Sequence, residues 1–66
     1  MILTINGKQE SIEKPLTLET LVAAKKLCPE KIVVEHNFHI VAREDWSKVT
    51  LGDKDMIEIV SFVGGG

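Results

Sequence analysis

Apolar positions recur at two different spacings along the chain, and each spacing marks a different kind of element. Met1-Ile2-Leu3-Thr4-Ile5 is apolar and β-branched and runs into Asn6-Gly7, the dipeptide best suited to a type I′ hairpin turn. A first strand is therefore predicted there, with a return strand over about Gln9 to Ile12, and Pro15 closes the hairpin. Leu18, Leu21 and Val22, with Ala23 and Ala24 beside them, then repeat at i, i+3 and i+4, the stripe of an amphipathic helix. Thr17 is placed to cap that helix, and Glu19 falls in its first turn, where the helix dipole favours negative charge. Leu16 and Leu21 have the N′ and N4 spacing of a hydrophobic staple. Lys25 and Lys26 are expected in the last turn. Pro29, which pushes Cys28 out of helical geometry, is expected to end the element.

Strand spacing returns with Ile32-Val33-Val34-Glu35. His36-Asn37-Phe38-His39 reads as a turn into a short strand at Ile40-Val41. Arg43 to Trp46 reads as a surface turn or one helical turn, with Trp46 covering one end of the core. Leu51-Gly52-Asp53-Lys54-Asp55 carries turn chemistry, and Met56 to Val63 is the longest strand candidate. The order ββαβββ, two hairpins flanking one helix, is that of an α+β β-grasp (ubiquitin-like) fold: a mixed sheet packed on one helix. Parallel pairing of the first and last strands would set Leu3 and Ile5 beside Ile57 and Ile59 against the helix. Alternation along the last strand then turns Glu58, Val60 and Phe62 outward. Val60 and Phe62 are thus candidates for a partner-docking surface, although isolated apolar side chains are normal on any protein surface. The expected division is a β-grasp domain over residues 1–63 and a flexible C-terminal glycine tail over residues 64–66.

At 66 residues the chain has room for one domain and a modest core. Cys28 is the only cysteine, so no internal disulfide forms, and two histidines and one cysteine make a closed structural zinc site a poor fit. A net charge of -2 with scattered lysines offers no basic footprint for nucleic acid. No apolar run approaches the ~20 residues of a membrane span. Met1 leads straight into a strand without the charged region of a signal peptide, so a cytoplasmic protein is expected.

Candidate catalytic groups are sparse. His36 and His39 lie close in sequence but have no evident third metal ligand, and a solvated turn accounts for them. Cys28 follows a helix C-terminus, where the dipole disfavours a thiolate, so a partly buried, inert thiol is expected. The pairs Glu44/Asp45 and Asp53/Asp55 would need a desolvating cleft to act as acid and base, and a domain of this size has little room for one. No phosphate-cradling glycine loop is present. The chain is therefore expected not to be an enzyme by itself. Its distinctive group is the C-terminal run Gly64-Gly65-Gly66. Glycine carries no Cβ, so such a run threads channels too narrow for a side chain and could project the Gly66 carboxylate by roughly 10 Å. A carboxylate is a poor acyl electrophile. An external ATP-dependent enzyme would have to activate it, leaving AMP as the leaving group for attack by sulfur or nitrogen.

The β-grasp pattern, Phe62-Val63-Gly64-Gly65-Gly66, the segment Asn37-Phe38-His39-Ile40-Val41-Ala42-Arg43-Glu44-Asp45-Trp46, and Gly52-Asp53 before the last strand together resemble the ThiS family of thiamine-biosynthesis sulfur carriers. The resemblance covers essentially the whole chain. Its diglycine end is shared by a wider superfamily, whereas the Asn-to-Trp segment is more discriminating. Ala42 departs from the pattern, since many members carry proline there, but it touches no chemistry. The resemblance implies that Gly66 is adenylated by an E1-like adenylyltransferase of ThiF type and converted to a thiocarboxylate with sulfur from a donor protein. It implies further that Gly64 and Gly65 form the arm entering partner active sites, and that sulfur passes to a thiazole synthase of ThiG type. No cofactor is bound in that scheme, ATP being used by the activating enzyme. Three alternatives stay open on the residues alone: a molybdopterin-type sulfur carrier, a ubiquitin-like protein modifier, and a binding module whose glycines are a cloning scar.

Overall fold

Asn6 and Gly7 both take positive φ, 50° and 81°, in the computed structural model, which describes residues 1–62. This double left-handed step is what a two-residue I′ turn requires, and glycine adopts it without steric cost. It joins β1 (Ile2–Ile5) to β2 (Lys8–Ser11) in an antiparallel pair with Ile5 opposite Lys8. Reciprocal 2.8 Å bonds between Met1 and Ile12 extend the pairing by one step.

Helix α1 (Leu18–Ala24) begins as its sequence dictates: the Thr17 hydroxyl accepts the Thr20 N–H at 3.1 Å, and Glu19 lies in the first turn. Leu18, Leu21 and Val22 are buried, but Ala23 and Ala24 are exposed, so the apolar stripe is narrower than the spacing suggested. The helix also ends earlier than Pro29. Lys25 is its C-cap and Lys26 takes φ 58°, with Lys26 N–H bonded to Ala23 O and Leu27 N–H to Val22 O. Those two bonds form a Schellman motif, with Leu27 packed back against the core. Neither lysine lies in the last turn. Lys25 instead reaches Glu10 on β2 at 2.7 Å. A side chain at a left-handed position is strained, so Lys26→Gly is expected to raise stability by about 0.5–1 kcal/mol, read as a higher urea midpoint at unchanged slope.

A 3₁₀ turn at Pro29–Lys31 leads into β3 (Ile32–His36), which pairs antiparallel with β4 (His39–Val41) through a second two-residue turn, Asn37-Phe38, at φ 49° and 72°. A longer 3₁₀ segment, Arg43–Lys48, brings Trp46 under the helix, where it is buried and donates its indole N–H to Val41 O at 2.9 Å. β5 (Met56–Ser61) then runs up the middle of the sheet, parallel to β1 and antiparallel to β3, giving the order β2-β1-β5-β3-β4. This is the β-grasp arrangement, with the expected parallel pairing of first and last strands. Bonds from Ile2 N–H to Asp53 Oδ1, Lys54 N–H to Ile2 O and Thr4 N–H to Asp55 O set that register. The core is Leu3, Ile5, Leu18, Leu21, Val22, Ile32, Val34, Trp46, Leu51 and Ile57, between the inner sheet face and α1. Among the described residues no helix is long and apolar enough to cross a membrane.

Candidate functional site

The outer face of the sheet is built by alternation. With Leu3, Ile5, Ile32, Val34 and Ile57 turned inward, Ile2 and Thr4 on β1, Val33 and Glu35 on β3, Ile40 on β4 and Met56, Glu58 and Val60 on β5 face the other way. Val60 and Phe62, the residues singled out from the last strand, are 55% and 45% exposed, so both are available to a partner. They are not isolated. Val33 pairs directly with Val60, and Ile40, 72% exposed, lies opposite Glu35 in the neighbouring register. The apolar surface therefore spans three adjacent strands. A search along β5 alone misses Val33 and Ile40, because the β3–β5 and β3–β4 registers bring them there.

The end of β5 is fixed by hydrogen bonds from its backbone. Phe62 N–H donates to Lys31 O at 2.9 Å, and Ile59 N–H donates to Asn6 Oδ1 at 2.6 Å, so β5 is held on both sides up to its end. Gly64, Gly65 and Gly66, the expected arm and activation site, lie outside the described residues, as does Val63.

The other sequence candidates fall elsewhere. Cys28 is exposed rather than partly buried. It precedes a 3₁₀ turn, with α1 ending four positions before it, and its thiol lies 3.3 Å from Glu30 Oε2. Asp45 pairs with Lys48 at 3.5 Å on the surface, and Asp53 caps the Ile2 N–H. His39 Nδ1 sits 3.1 Å from Asn37 O at the hairpin end. No group of three histidine, cysteine, aspartate or glutamate side chains placed to hold a metal occurs among the described residues. Val22, Pro29 and Trp46, with Glu19, Glu30 and Glu44, line an open groove on the helix side, across the sheet from the apolar face.

His36 is not a solvated turn residue. Its Nε2 lies 2.7 Å from Asp55 Oδ2, and Asp55 also accepts the Gly52 N–H at 2.8 Å and the Asn37 amide at 3.2 Å. Asn37 Oδ1 in turn accepts the Met56 N–H, so the β3–β4 turn is fastened to the start of β5. Partial burial raises the Asp55 pKa, but bonds from His36, Gly52 and Asn37, with the His36 charge, more than offset this and hold it below the ordinary carboxylate value. A depressed folded-state pKa stabilises at pH above the unfolded value of about 3.9 and is lost as pH falls through the folded one. Asp55→Asn should therefore lower stability at neutral pH and flatten the acid limb below about pH 4, measured as urea midpoints across pH.

Three relatives bear on these features. Residues 3–66 match the ThiS family. The sulfur carrier protein ThiS of Bacillus subtilis is 41% identical over 66 residues, covering 98% of this chain and 100% of that one. The crystal structure of the thiamine biosynthesis protein ThiS from Geobacter metallireducens superposes with a TM-score of 0.85 at 35% identity, covering 100% of both chains. A thiazole synthase of Paramagnetospirillum magneticum is 36% identical over 66 residues, which is 100% of this chain but 20% of that protein. The chain thus spans about a fifth of the length of that relative. With a β-grasp sheet that superposes along its whole length and a match running from β1 through the terminal glycines, the chain belongs to the ThiS family.

Proposed function

We propose that this chain is a sulfur carrier of thiamine biosynthesis and the substrate, not the catalyst, of the enzymes it meets. The observation that carries this reading is the full-length likeness to the Bacillus subtilis sulfur carrier, within a family match that includes the glycine run. In this scheme an E1-like adenylyltransferase directs the Gly66 carboxylate onto the α-phosphorus of ATP, releasing pyrophosphate and leaving an acyl-adenylate. The terminal sulfur of a donor-protein persulfide displaces AMP to give an acyl disulfide, a thiol reductant cleaves its S–S bond to free the thiocarboxylate, and the thiocarboxylate passes sulfur to a thiazole synthase in the cytoplasm. The thiazole synthase relative supports that last partner, because its sequence contains a segment similar to the whole of this chain.

In this reading the labour is divided along the chain. The core and the Asp55 network hold a rigid platform, Val60 and Phe62 with the surrounding apolar face dock on partners, and Gly64 and Gly65 reach into their pockets. A glycine arm reaches a reaction centre without side-chain clashes, and a thiocarboxylate keeps sulfur protein-bound rather than free as sulfide.

The test is mass analysis of the intact chain and its C-terminal peptide after incubation with the adenylyltransferase, ATP and a sulfur donor, followed by thiol alkylation. An ATP-dependent label on Gly66 is the expected result. The peptide must be resolved, because Cys28 also alkylates and oxidation of Met1 or Met56 nearly matches an oxygen-to-sulfur exchange. An unmodified terminus in the presence of active enzyme would overturn the proposal, and attachment to lysines of other proteins would make the chain a modifier.

A further inference from the structure

Two carboxylates occupy the middle of the apolar outer face. Glu35 and Glu58 are direct cross-strand partners between β3 and β5, flanked by the Val33–Val60 pair on one side and by Ile40 on β4. Opposed like charges destabilise a sheet, since their Cβ atoms lie roughly 5 Å apart. Among the described residues neither carboxylate has an ion-pair partner. No strand position on this face carries lysine or arginine: the others are Ile2, Thr4, Gln9, Ser11 and Met56. The free chain therefore carries an uncompensated negative pair in the centre of its most apolar surface.

We propose that Glu35 and Glu58 are the specificity element of the docking face, and that its occupant is the thiazole synthase partner, which meets the pair with a cationic side chain set among apolar groups. This rests on the reading of the chain as a sulfur carrier. An arginine suits the geometry best, because its planar fork can donate to two adjacent carboxylates at once. Apolar surface around such a contact excludes water and strengthens it, while a neutral or acidic surface on a wrong partner would bury the pair unmatched. The choice of thiazole synthase follows from the relative that carries a segment like this whole chain within one thiazole synthase polypeptide. A second copy of this chain is disfavoured as occupant, since two-fold pairing of these faces would bring four carboxylates together.

Glu35→Gln/Glu58→Gln keeps shape and hydrogen-bonding capacity while removing both charges. The double variant should raise the urea midpoint by relieving repulsion, and at the same time weaken binding to the thiazole synthase of the same organism by about 10- to 100-fold. It should also flatten the salt dependence of that binding, measured by titration calorimetry at low and high ionic strength. Stability rising while affinity falls is a combination that a merely structural role for these residues does not produce. Val60→Ser serves as the control for the face. If it weakens binding and the glutamine variant does not, the charge element is overturned and the docking face stands; if neither changes binding, both are overturned, while labelling of Gly66 still judges the carrier chemistry separately. Loss of binding to the adenylyltransferase but not to the synthase would overturn the partner assignment. So would a wild-type dimer in sedimentation that the double variant dissociates.

Discussion

Gly65→Val is expected to fold like the wild type and to lose ATP-dependent labelling of Gly66 by at least about a hundredfold, the scale on which an ångström of misplacement at a reacting centre acts. The fold is spared because β5 ends at Ser61 and its last described bond, from Phe62 N–H to Lys31 O, lies before the glycines. The arm is affected because valine adds a branched Cβ where the proposed route into a partner requires a bare backbone, and it also restricts φ and ψ. Circular dichroism with a urea titration checks the first half, and the labelling rate under saturating ATP checks the second. A normal rate in a folded variant would mean that the partner's channel accommodates side chains, and the threading argument would fail.

Trp46→Ala should largely unfold the domain. Trp46 is 3% exposed, it fills the space between the 3₁₀ segment Arg43–Lys48 and α1, and its indole N–H satisfies Val41 O. Truncating a buried tryptophan costs about 3–5 kcal/mol. A domain of 66 residues has on the order of 3–10 kcal/mol in total, so the loss consumes much of its stability. Trp46→Phe keeps most of the buried area but leaves the Val41 carbonyl without its donor, and a smaller loss of about 1–3 kcal/mol is expected. Trp46 is the only tryptophan, so far-UV circular dichroism must follow unfolding in place of fluorescence. A cooperative urea transition near the wild-type midpoint in the alanine variant would show that the core does not depend on this side chain.

The two predictions separate along the chain because its chemistry and its stability do. Activation is assigned to the last residues, whereas the buried cluster draws on every strand but β2 and β4, and on α1. Substitutions in the core should therefore alter sulfur carriage through the folded fraction, and substitutions in the arm should alter it at constant stability. The outer face lies between these cases. Its side chains are exposed or half-buried, so changes there should act mainly on partner affinity.

Short-range chemistry was legible from the residues. Asn6-Gly7 specifies its own turn, since both positions tolerate positive φ, and Thr17 with Thr20 closes the start of α1 within one turn. Alternation in β5 was enough to turn Val60 outward, and Phe62, one position past the strand, is exposed as well. The helix end was not legible. Lysine at a left-handed C′ position runs against local preference, and the step is held by Leu27 folding back onto the core, so a long-range contact outweighs a local cost. The Asn37-Phe38 turn is similar. Phe38 at φ 72° is unfavourable in isolation, but the β3–β4 pairing and the Asn37 bonds to Asp55 and Met56 impose it.

The sequence by itself determined the element order, the first turn, the helix start and the parallel pairing of first and last strands. Each follows from preferences acting over a few residues or from the demand that apolar stripes share one core. Only the tertiary structure decided that His36 meets Asp55, that Glu35 stands against Glu58, and that Val33 and Ile40 complete the surface around Val60. These contacts join positions far apart in the chain, and a one-residue slip in register would turn the side chains of a strand to the opposite face. Register is set by the joint burial of β1, β3 and β5 against α1, a quantity that no local segment contains.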